Sequence, residues 1–138
     1  MGTVTLNPVA IADAATYTVK VADNGATHYL PDLTADITIS LPTAAPGLYY
    51  KFVYGGVGVE AQDWAIDTGS TTNYYLGGVT HVDDAPAANA IASDGNSNRI
   101  VNVLTPEVST WVEVHCDGTN WYVNGWIASA NAPTFADS

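Results

Sequence analysis

The sequence predicts an all-β protein, a single β-sandwich or jelly-roll-like domain of roughly eight to ten short strands. Three observations lead to this fold class. Short runs rich in β-branched and aromatic residues alternate between apolar and polar positions, which is the pattern of a half-buried strand. Glycine, proline, asparagine and aspartate separate these runs, and no segment carries a sustained helical stripe. The chain has 138 residues, the common size of one domain, and 47% of them are hydrophobic, enough for a core.

The strand candidates follow from this alternation. In residues 16–21 the side chains of Tyr17, Val19 and Val21 share one face, because successive side chains of a strand point to opposite sides. The other runs with the same pattern are residues 4–6, 28–30, 36–41, 48–54, 63–67, 99–104, 111–116 and 120–123.

The clearest local element is a hairpin near the C-terminus. Alternating runs at residues 111–116 and 120–123 flank Asp117-Gly118, and an Asp-Gly pair supplies the positive φ angles of a tight turn. Residues 82–92 are the least strand-like, since their alanine, proline and asparagine suit a loop or one short helical turn.

The two ends of the chain differ from the body in composition. They are rich in alanine, threonine, asparagine and proline, which predicts an N-terminal arm at residues 1–15 and a C-terminal tail at residues 128–138. Phe135 is the single large apolar residue of that tail. The β-sandwich domain is therefore expected to span residues 16–127.

The charge balance excludes several classes of partner. Fourteen acidic side chains stand against Lys20, Lys51 and Arg99, which gives a net charge of −11. Three cations cannot neutralise a run of phosphates, so we expect no nucleic-acid binding through a basic groove. An anionic membrane surface would repel the chain as well, and no apolar run approaches the length of a membrane span.

Compartment is indicated by the start of the chain and by its cysteine content. The first eight residues have neither a positively charged region nor a hydrophobic region of a secretory signal, which predicts synthesis and folding in a cytosol. Cys116 is the only cysteine, so no disulfide can form within the chain.

Three motifs resemble ligand sites but lack essential parts. Gly56-Val-Gly-Val-Glu-Ala61 matches a dinucleotide fingerprint without the helix that must follow it. The run that starts at Asp94 opens like a calcium loop, yet Arg99 and Thr105 stand where glycine and glutamate are required. We therefore expect no dedicated cofactor site at either, although adventitious calcium binding by so acidic a surface stays open.

Two further groups of side chains have residue types found in metal sites or in catalytic pairs. In a strand His81 and Asp83 would share a face and, with Asp84, could ligate a metal, but a solvated loop is the simpler interpretation. His115 and Cys116 are adjacent, so they point to opposite faces of a strand and cannot form a thiolate–imidazolium pair. No catalytic motif accompanies them, and we expect no enzymatic activity.

The aromatic residues indicate an interaction protein. Eight Tyr and four Trp outnumber two Phe, and rings with an apolar body and a polar atom are enriched at protein interfaces and in sugar-binding platforms. About half of these rings are needed for the core as a first guess. The remainder predict a homo-oligomer interface, for which we select Tyr49, Tyr50, Trp121 and Trp126.

Two stretches carry a resemblance to a known group of proteins. In residues 36–53 a strand ends in Leu-Pro and leads through small residues into the aromatic run Leu-Tyr-Tyr-Lys-Phe-Val. In residues 111–125 a Trp-rich hairpin, Trp-Val-Glu-Val-His-Cys-Asp-Gly-Thr-Asn-Trp-Tyr-Val-Asn-Gly, closes the domain. In these features the chain resembles small structural proteins of tailed bacteriophages, and head decoration (cement) proteins in particular.

The resemblance implies a place in the virion. Such a protein would be made in the host bacterial cytoplasm and would bind the outer surface of the capsid as a homotrimer. It would clamp adjacent subunits of the major capsid protein, with its chain ends reaching onto neighbours. We expect the capsid contacts to come from the arms, at Val4, Leu6 and Phe135.

The same hairpin pattern also occurs in tail-fibre proteins, which leaves a second function open. A carbohydrate- or receptor-binding β-domain of a fibre or collar would stack exposed rings such as Trp126 and Tyr75 on sugars. A calcium-dependent virion module is a third alternative.

Overall fold

The computed structural model describes residues 7–83 and 87–137. These residues form twelve strands and one short 3-10 helix, Val21–Asp23. The strands are β1 (Val9–Ala10), β2 (Thr16–Thr18), β3 (Thr27–Leu30), β4 (Ile37–Ser40), β5 (Tyr49–Tyr54), β6 (Trp64–Asp67), β7 (Tyr75–Val82), β8 (Ala88–Ala92), β9 (Ile100–Val103), β10 (Trp111–Cys116), β11 (Trp121–Ala128) and β12 (Thr134–Ala136).

Two sheets pack against each other and form a β-sandwich, so the predicted fold class is confirmed. The seven-stranded sheet has the order β1-β3-β5-β10-β11-β7-β8, and the five-stranded sheet has the order β12-β9-β6-β4-β2. Both sheets are mixed. Five strand pairs are parallel, a feature that the antiparallel jelly roll lacks.

The first six strands wind between the two sheets. β1, β3 and β5 lie parallel in the seven-stranded sheet, while β2, β4 and β6 lie parallel in the five-stranded sheet. Each step along the chain therefore crosses from one sheet to the other. β10 then pairs antiparallel with β5, and β9 pairs antiparallel with β6, so the second half of the chain covers the open edges of β5 and β6 and leaves β1 and β2 as sheet edges.

The core lies between the sheets and is built by the predicted alternation. In β5 and β10 every second side chain is buried, and the intervening side chains face outward. The largest buried side chains are aromatic. They are Tyr50, Phe52, Trp64, Tyr75 and Trp121, none of which exposes any measurable surface.

Both described chain ends belong to the sheets, which corrects the expectation of an arm and a tail. β1 pairs with β3, and Ile11 just after it is 3% exposed. β12 pairs with β9, and the ring of Phe135 packs edge-on against Tyr75 with centroids 6.2 Å apart. Phe135 is thus a partly buried side chain of the sandwich. Val4 and Leu6 lie outside the described residues.

Two segments differ locally from their predictions. Residues 88–92 form β8 and are neither loop nor helical turn, because alanine and Gly78 of β7 allow the two strands to approach closely. β2 ends at Thr18, so Val21 enters the 3-10 helix and is 60% exposed instead of facing the core beside Val19.

Candidate interaction face

The outward side of the seven-stranded sheet carries one continuous uncharged row of side chains. We call this side the aromatic face and the row that crosses it the aromatic row. Strand register aligns its members across all seven strands: Ala10, Tyr29, Val53, Trp111, Trp126, Thr80 and Ala90. Six strand spacings make this row about 29 Å long. Tyr29 is 44% exposed and Trp126 41% exposed, which are large fractions for aromatic side chains.

A second row, next to the aromatic row, contains the charged residues of the sheet. Lys51 of β5 lies opposite Glu113 of β10, which lies opposite Asn124 of β11. Lys51 and Glu113 are the only Lys, Arg, Asp or Glu residues in the seven strands. The aromatic face is therefore formally neutral at its strands, in a chain whose net charge is −11.

Both of these charges are held against the sheet. The Lys51 ammonium lies 4.8 Å from the centroid of the Trp111 ring, within the range of a cation–π interaction. The Glu113 carboxylate accepts hydrogen bonds from the Tyr49 hydroxyl at 2.5 Å and from the Asn124 amide at 3.3 Å. Burial, followed by this bond to Glu113, raises the pKa of Tyr49 to about 12, so the phenol stays protonated as a donor.

A third row adds a ring pair. His115 of β10 lies opposite Tyr122 of β11, and the two rings stack with centroids 5.1 Å apart at an interplanar angle of 11°. Tyr49 flanks His115 on β5. The three rows together place aromatic side chains on one side of the sheet, and contacts hold three pairs of side chains there: Lys51 with Trp111, Tyr49 with Glu113 and His115 with Tyr122.

The outward side of the five-stranded sheet is chemically different. Its matching row consists of Thr16, Thr38, Ala65, Asn102 and Thr134, which are small and mostly hydroxyl- or amide-bearing. Small polar side chains are satisfied by water, whereas exposed clustered rings are typical of an interaction surface. The contrast identifies the aromatic face as the candidate site.

The four residues selected as an oligomer interface divide between face and core. Tyr49 and Trp126 lie on the aromatic face. Tyr50 and Trp121 point inward, have no exposed surface, and pack against each other with ring centroids 6.3 Å apart. The interface prediction for this buried pair is wrong in the described fold, because neither ring reaches the surface of the sandwich.

Sequence reasoning missed several members of the aromatic face. Tyr29, Val53 and Lys51 were not selected, and Trp111 and Tyr122 were noted as aromatic without being assigned to the surface. The signal that could have found Trp111 and Tyr122 is the Asp117-Gly118 turn, since its register sets Trp111 opposite Trp126 and Tyr122 opposite His115. The joining of β3 and β5 in the same sheet left no comparable signal in the sequence.

His115 and Cys116 lie on opposite sides of β10, as the sequence predicted. His115 is exposed and stacked on Tyr122, while Cys116 is 3% exposed. The Cys116 sulfur accepts a hydrogen bond from the Gly118 N–H at 3.4 Å. The two side chains therefore make no contact through which one could activate the other.

The run beginning at Asp94 uses its carboxylate within its own turn. One oxygen accepts hydrogen bonds from the backbone N–H groups of Asn96, Ser97 and Asn98 at 3.0–3.2 Å, and the other accepts one from the Ser97 hydroxyl at 2.6 Å. These bonds, that of the Ser97 hydroxyl foremost, lower the pKa of Asp94 well below its usual value. Within residues 7–83 and 87–137, no three His, Cys, Asp or Glu side chains are grouped to hold a metal.

His81 and the glycine-rich segment also have structural surroundings. The His81 Nε2 lies 2.8 Å from the Ser129 carbonyl oxygen, and the imidazole is 6% exposed, so it faces inward. Asp83 is exposed, and Asp84 lies outside the described residues. Residues 56–61 connect β5 to β6 without a helix.

Comparison with known proteins identifies no relative of this chain. No protein-family model, curated protein or solved structure matches it. Among the described residues, no helix has the length and apolar character needed to cross a membrane.

Proposed function

We propose that this chain is a non-enzymatic virion structural protein, a decoration protein that binds the outer surface of a phage head and stabilises adjacent major capsid subunits. The proposal joins the resemblance of residues 36–53 and 111–125 to the chemistry of one surface. The observation that carries it is the aromatic row, an uncharged stripe about 29 Å long on a sheet side that residues 7–83 and 87–137 leave uncovered.

The aromatic face suits a protein partner on three grounds. Residues that dominate the binding energy of protein interfaces are enriched in Trp and Tyr, and Trp111 lies directly opposite Trp126 near the middle of the sheet. Lys51 and Glu113 leave the strands of this face formally neutral, so docking there brings few unpaired charges out of water. A sheet side of about 29 by 17 Å gives roughly 500 Å² per partner, which suits one of several contacts on a repeating shell.

This proposal moves the capsid contact from the chain ends to the sheet. Phe135 is partly buried against the core of the sandwich, and the aromatic face offers a surface that the arms were expected to supply. As the resemblance implies, the binding unit is a homotrimer. Decoration outside the shell also fits the charge, because an acidic protein facing packaged DNA would be repelled by phosphate.

Binding to undecorated heads tests the proposal. We expect the purified chain to co-sediment with heads assembled from the matching major capsid protein and to raise their melting temperature. Trp126→Lys should lower capsid affinity by about tenfold or more, since it introduces an unpaired charge at the centre of the aromatic row.

Thr38→Lys provides the matched control. It adds the same charge to an exposed position of the five-stranded sheet and should leave capsid binding unchanged. Equal loss of binding in both variants, or no binding by the unaltered chain, would contradict the proposal.

A second candidate function is favoured by β11 alone. Tyr122, Asn124 and Trp126 project from the same side of this strand, which places an amide between two exposed rings. Rings that stack on sugar faces beside an amide that binds hydroxyls are the chemistry of a carbohydrate platform. Tyr75 does not belong to it, because its ring is fully buried and its hydroxyl donates to the Ile66 carbonyl oxygen.

Glycan binding separates the two functions. A carbohydrate-binding domain should give hits on a glycan array, and Tyr122→Ala should abolish them. An array without hits removes this candidate and leaves the decoration proposal standing.

A further inference from the structure

β8 is an open edge of the seven-stranded sheet. It pairs with β7 on one side, and no described residue pairs with it on the other. The Ser93 N–H donates to the Gly77 carbonyl oxygen at 2.9 Å, and residues that bond across an antiparallel pair alternate. The backbone groups of Ala88, Ala90 and Ala92 therefore point away from β7, toward the open side.

β8 lacks the features that protect the other sheet edges. Proteins usually keep exposed edges short or place charged residues or proline on them. β1 has two residues and follows Pro8, and β2 and β12 have three residues each. β8 has five residues, carries neither charge nor proline, and exposes four of its five side chains. Its free backbone groups can receive an extended strand.

Residues 1–6 of the chain have the sequence of a matching strand. Val4 and Leu6 alternate with Thr3 and Thr5, and the segment has no charged side chain. Six extended residues span about 20 Å, and a five-residue strand such as β8 is about 17 Å long. Neither strand would bring a carboxylate near the other, which matters in a chain of net charge −11.

Residues 1–6 cannot pair with β8 of their own chain. β1 and β8 stand at opposite ends of the strand order, about 29 Å apart. An extended chain spans at most about 3.6 Å per residue, so residue 6, three positions before Val9, can lie no more than about 11 Å from Val9 and cannot reach β8. β1 cannot be extended toward the N-terminus along β3 either. Val9 already lies opposite His28, the second residue of β3, and the chain just before β3 turns through residues 21–25, so it offers no further strand for residues 1–6 to pair with.

We propose that residues 1–6 of one copy add a strand to β8 of a second copy. This names the contact through which the proposed homotrimer forms, and to that extent it rests on the proposed function. The donor, residues 1–6, and the acceptor, β8, are different parts of the chain. The contact is therefore heterologous, and successive copies can close into a ring, as a trimer requires. It gives Val4 and Leu6 a partner in a neighbouring copy rather than in the capsid.

Mass measurements on two variants test the exchange. The full chain should have about three times its 14.4 kDa mass in sedimentation velocity, and a chain that lacks residues 1–6 should be monomeric. Ala90→Pro should also give a monomer, because it removes an N–H that only the open edge uses and edge strands tolerate proline.

Thr18→Pro is the matched control. Hydrogen bonds of Val19 to Ser40 and of Thr38 to Ala15 show that alternate residues of β2 face β4, so the N–H of Thr18 faces the open side of that edge. This variant places the same proline on an edge of the other sheet and should keep the oligomer. Thermal melting of each variant reports whether it is folded.

A labelled peptide gives a direct test. A fluorescent peptide with the sequence of residues 1–7 should bind the chain that lacks residues 1–6, with a rise in anisotropy. Ala90→Pro in that chain should weaken binding by about tenfold or more. Replacing both Val4 and Leu6 of the peptide by Asp should weaken it similarly.

The outcomes separate this inference from the proposed function. A monomeric full chain, an oligomer that survives loss of residues 1–6, or a peptide that binds β8 variants equally well would overturn the strand exchange. Capsid binding by such a protein would leave the decoration function standing. Conversely, an exchanged oligomer that ignores capsids would retain the strand exchange and remove the function.

Discussion

At the scale of single residues, β11 assigns opposite roles to two tryptophans. Trp121 and Trp126 are five positions apart, and an odd spacing puts them on opposite sides of a strand. Trp121 fills the core beside Tyr50, whereas Trp126 lies in the aromatic row. The same residue type on the same strand therefore serves stability in one case and a surface in the other.

Truncating these two tryptophans should separate those roles. Trp121→Ala should lower the free energy of unfolding by about 3–5 kcal/mol, because it leaves a large cavity between the sheets. Trp126→Ala should lower it by about 1 kcal/mol or less, since water already reaches its ring. Urea unfolding followed by circular dichroism measures both values. Equal losses would contradict the division between core and face.

His28 is a second residue whose surroundings decide its behaviour. Its ring is fully buried among Tyr17, Tyr50 and Phe52. Its Nδ1 lies 3.2 Å from the Ala26 carbonyl oxygen, and its Nε2 has no partner in the described residues. Burial lowers the pKa of His28 from the ordinary 6.5, against smaller opposing effects of the Ala26 carbonyl and of Asp23.

This burial predicts a loss of stability in mild acid. Below about pH 6.5 the unfolded chain binds a proton at His28 that the folded chain does not, so the free energy of unfolding falls as pH falls. For one proton this slope cannot exceed about 1.4 kcal/mol per pH unit. Urea unfolding between about pH 5.5 and 7.5 measures it. His28→Phe should flatten the slope and His115→Gln should not; the same slope in all three proteins would refute the assignment.

At the scale of elements, the sequence predicts strands well where two signals agree. The β10–β11 hairpin has both alternating apolar residues and an Asp-Gly turn, and it forms as expected. β7 was missed because Gly77 and Gly78 interrupt the apolar alternation within it, and β8 because alanine and asparagine carry little β propensity. Alternation also leaves open which side faces inward, which is why Tyr49 and Tyr50 were selected together.

The missed pair β7–β8 depends on a glycine. A Cβ at Gly78 would lie 2.9 Å from the Cα of Ala92 and would overlap the Ile91 carbonyl oxygen. Gly78→Ala should therefore push β8 away from β7 and speed the hydrogen exchange of the Asn89 and Ile91 amides, which face β7. Thr80→Ala, in the same strand, adds no atom and should not. Unchanged exchange in both variants would contradict the close approach.

At the scale of the whole molecule, charge is distributed unevenly. The strands of the aromatic face are formally neutral because Lys51 balances Glu113, and the other carboxylates of the described residues lie in loops, in the 3-10 helix and at strand ends, with Lys20 and Arg99 as the remaining cations. Like charges on a compact surface repel one another and oppose folding. Salt screens this repulsion, with a Debye length that shortens from about 30 Å at 0.01 M to about 10 Å at 0.1 M.

Stability should therefore rise with ionic strength. We expect the Tm to increase between about 10 and 300 mM NaCl, as measured by calorimetry. A double variant, Asp23→Asn and Glu107→Gln, carries two fewer negative charges and should show a smaller increase. A Tm that is constant or falls with salt would mean that repulsion among the carboxylates does not limit stability.

The path of the chain could not be predicted at this scale. Alternation identifies a strand but does not indicate which strand lies beside it. Parallel pairs such as β2–β4 join segments that are separated in sequence by a strand of the other sheet. The aromatic face is a product of that path, since Tyr29, Val53 and Trp111 become neighbours only when β3, β5 and β10 lie side by side. The ring types were visible in the sequence, and their arrangement was not.

The order of the strands along the chain also determines how long strand edges stay unpaired during synthesis. β5 and β6 have free edges until β10 and β9 cover them, and β10 begins 44 residues after β6 ends. A ribosome that adds about 5–20 residues per second needs roughly 2–9 s to make that stretch. During this interval the edge of the aromatic strand Tyr49–Tyr54 is uncovered, and the edge of β6 is uncovered until β9 has been made, so both can pair with other polypeptides nearby. Rapid translation of residues 68–116 thus bears on how much of this protein reaches its folded state.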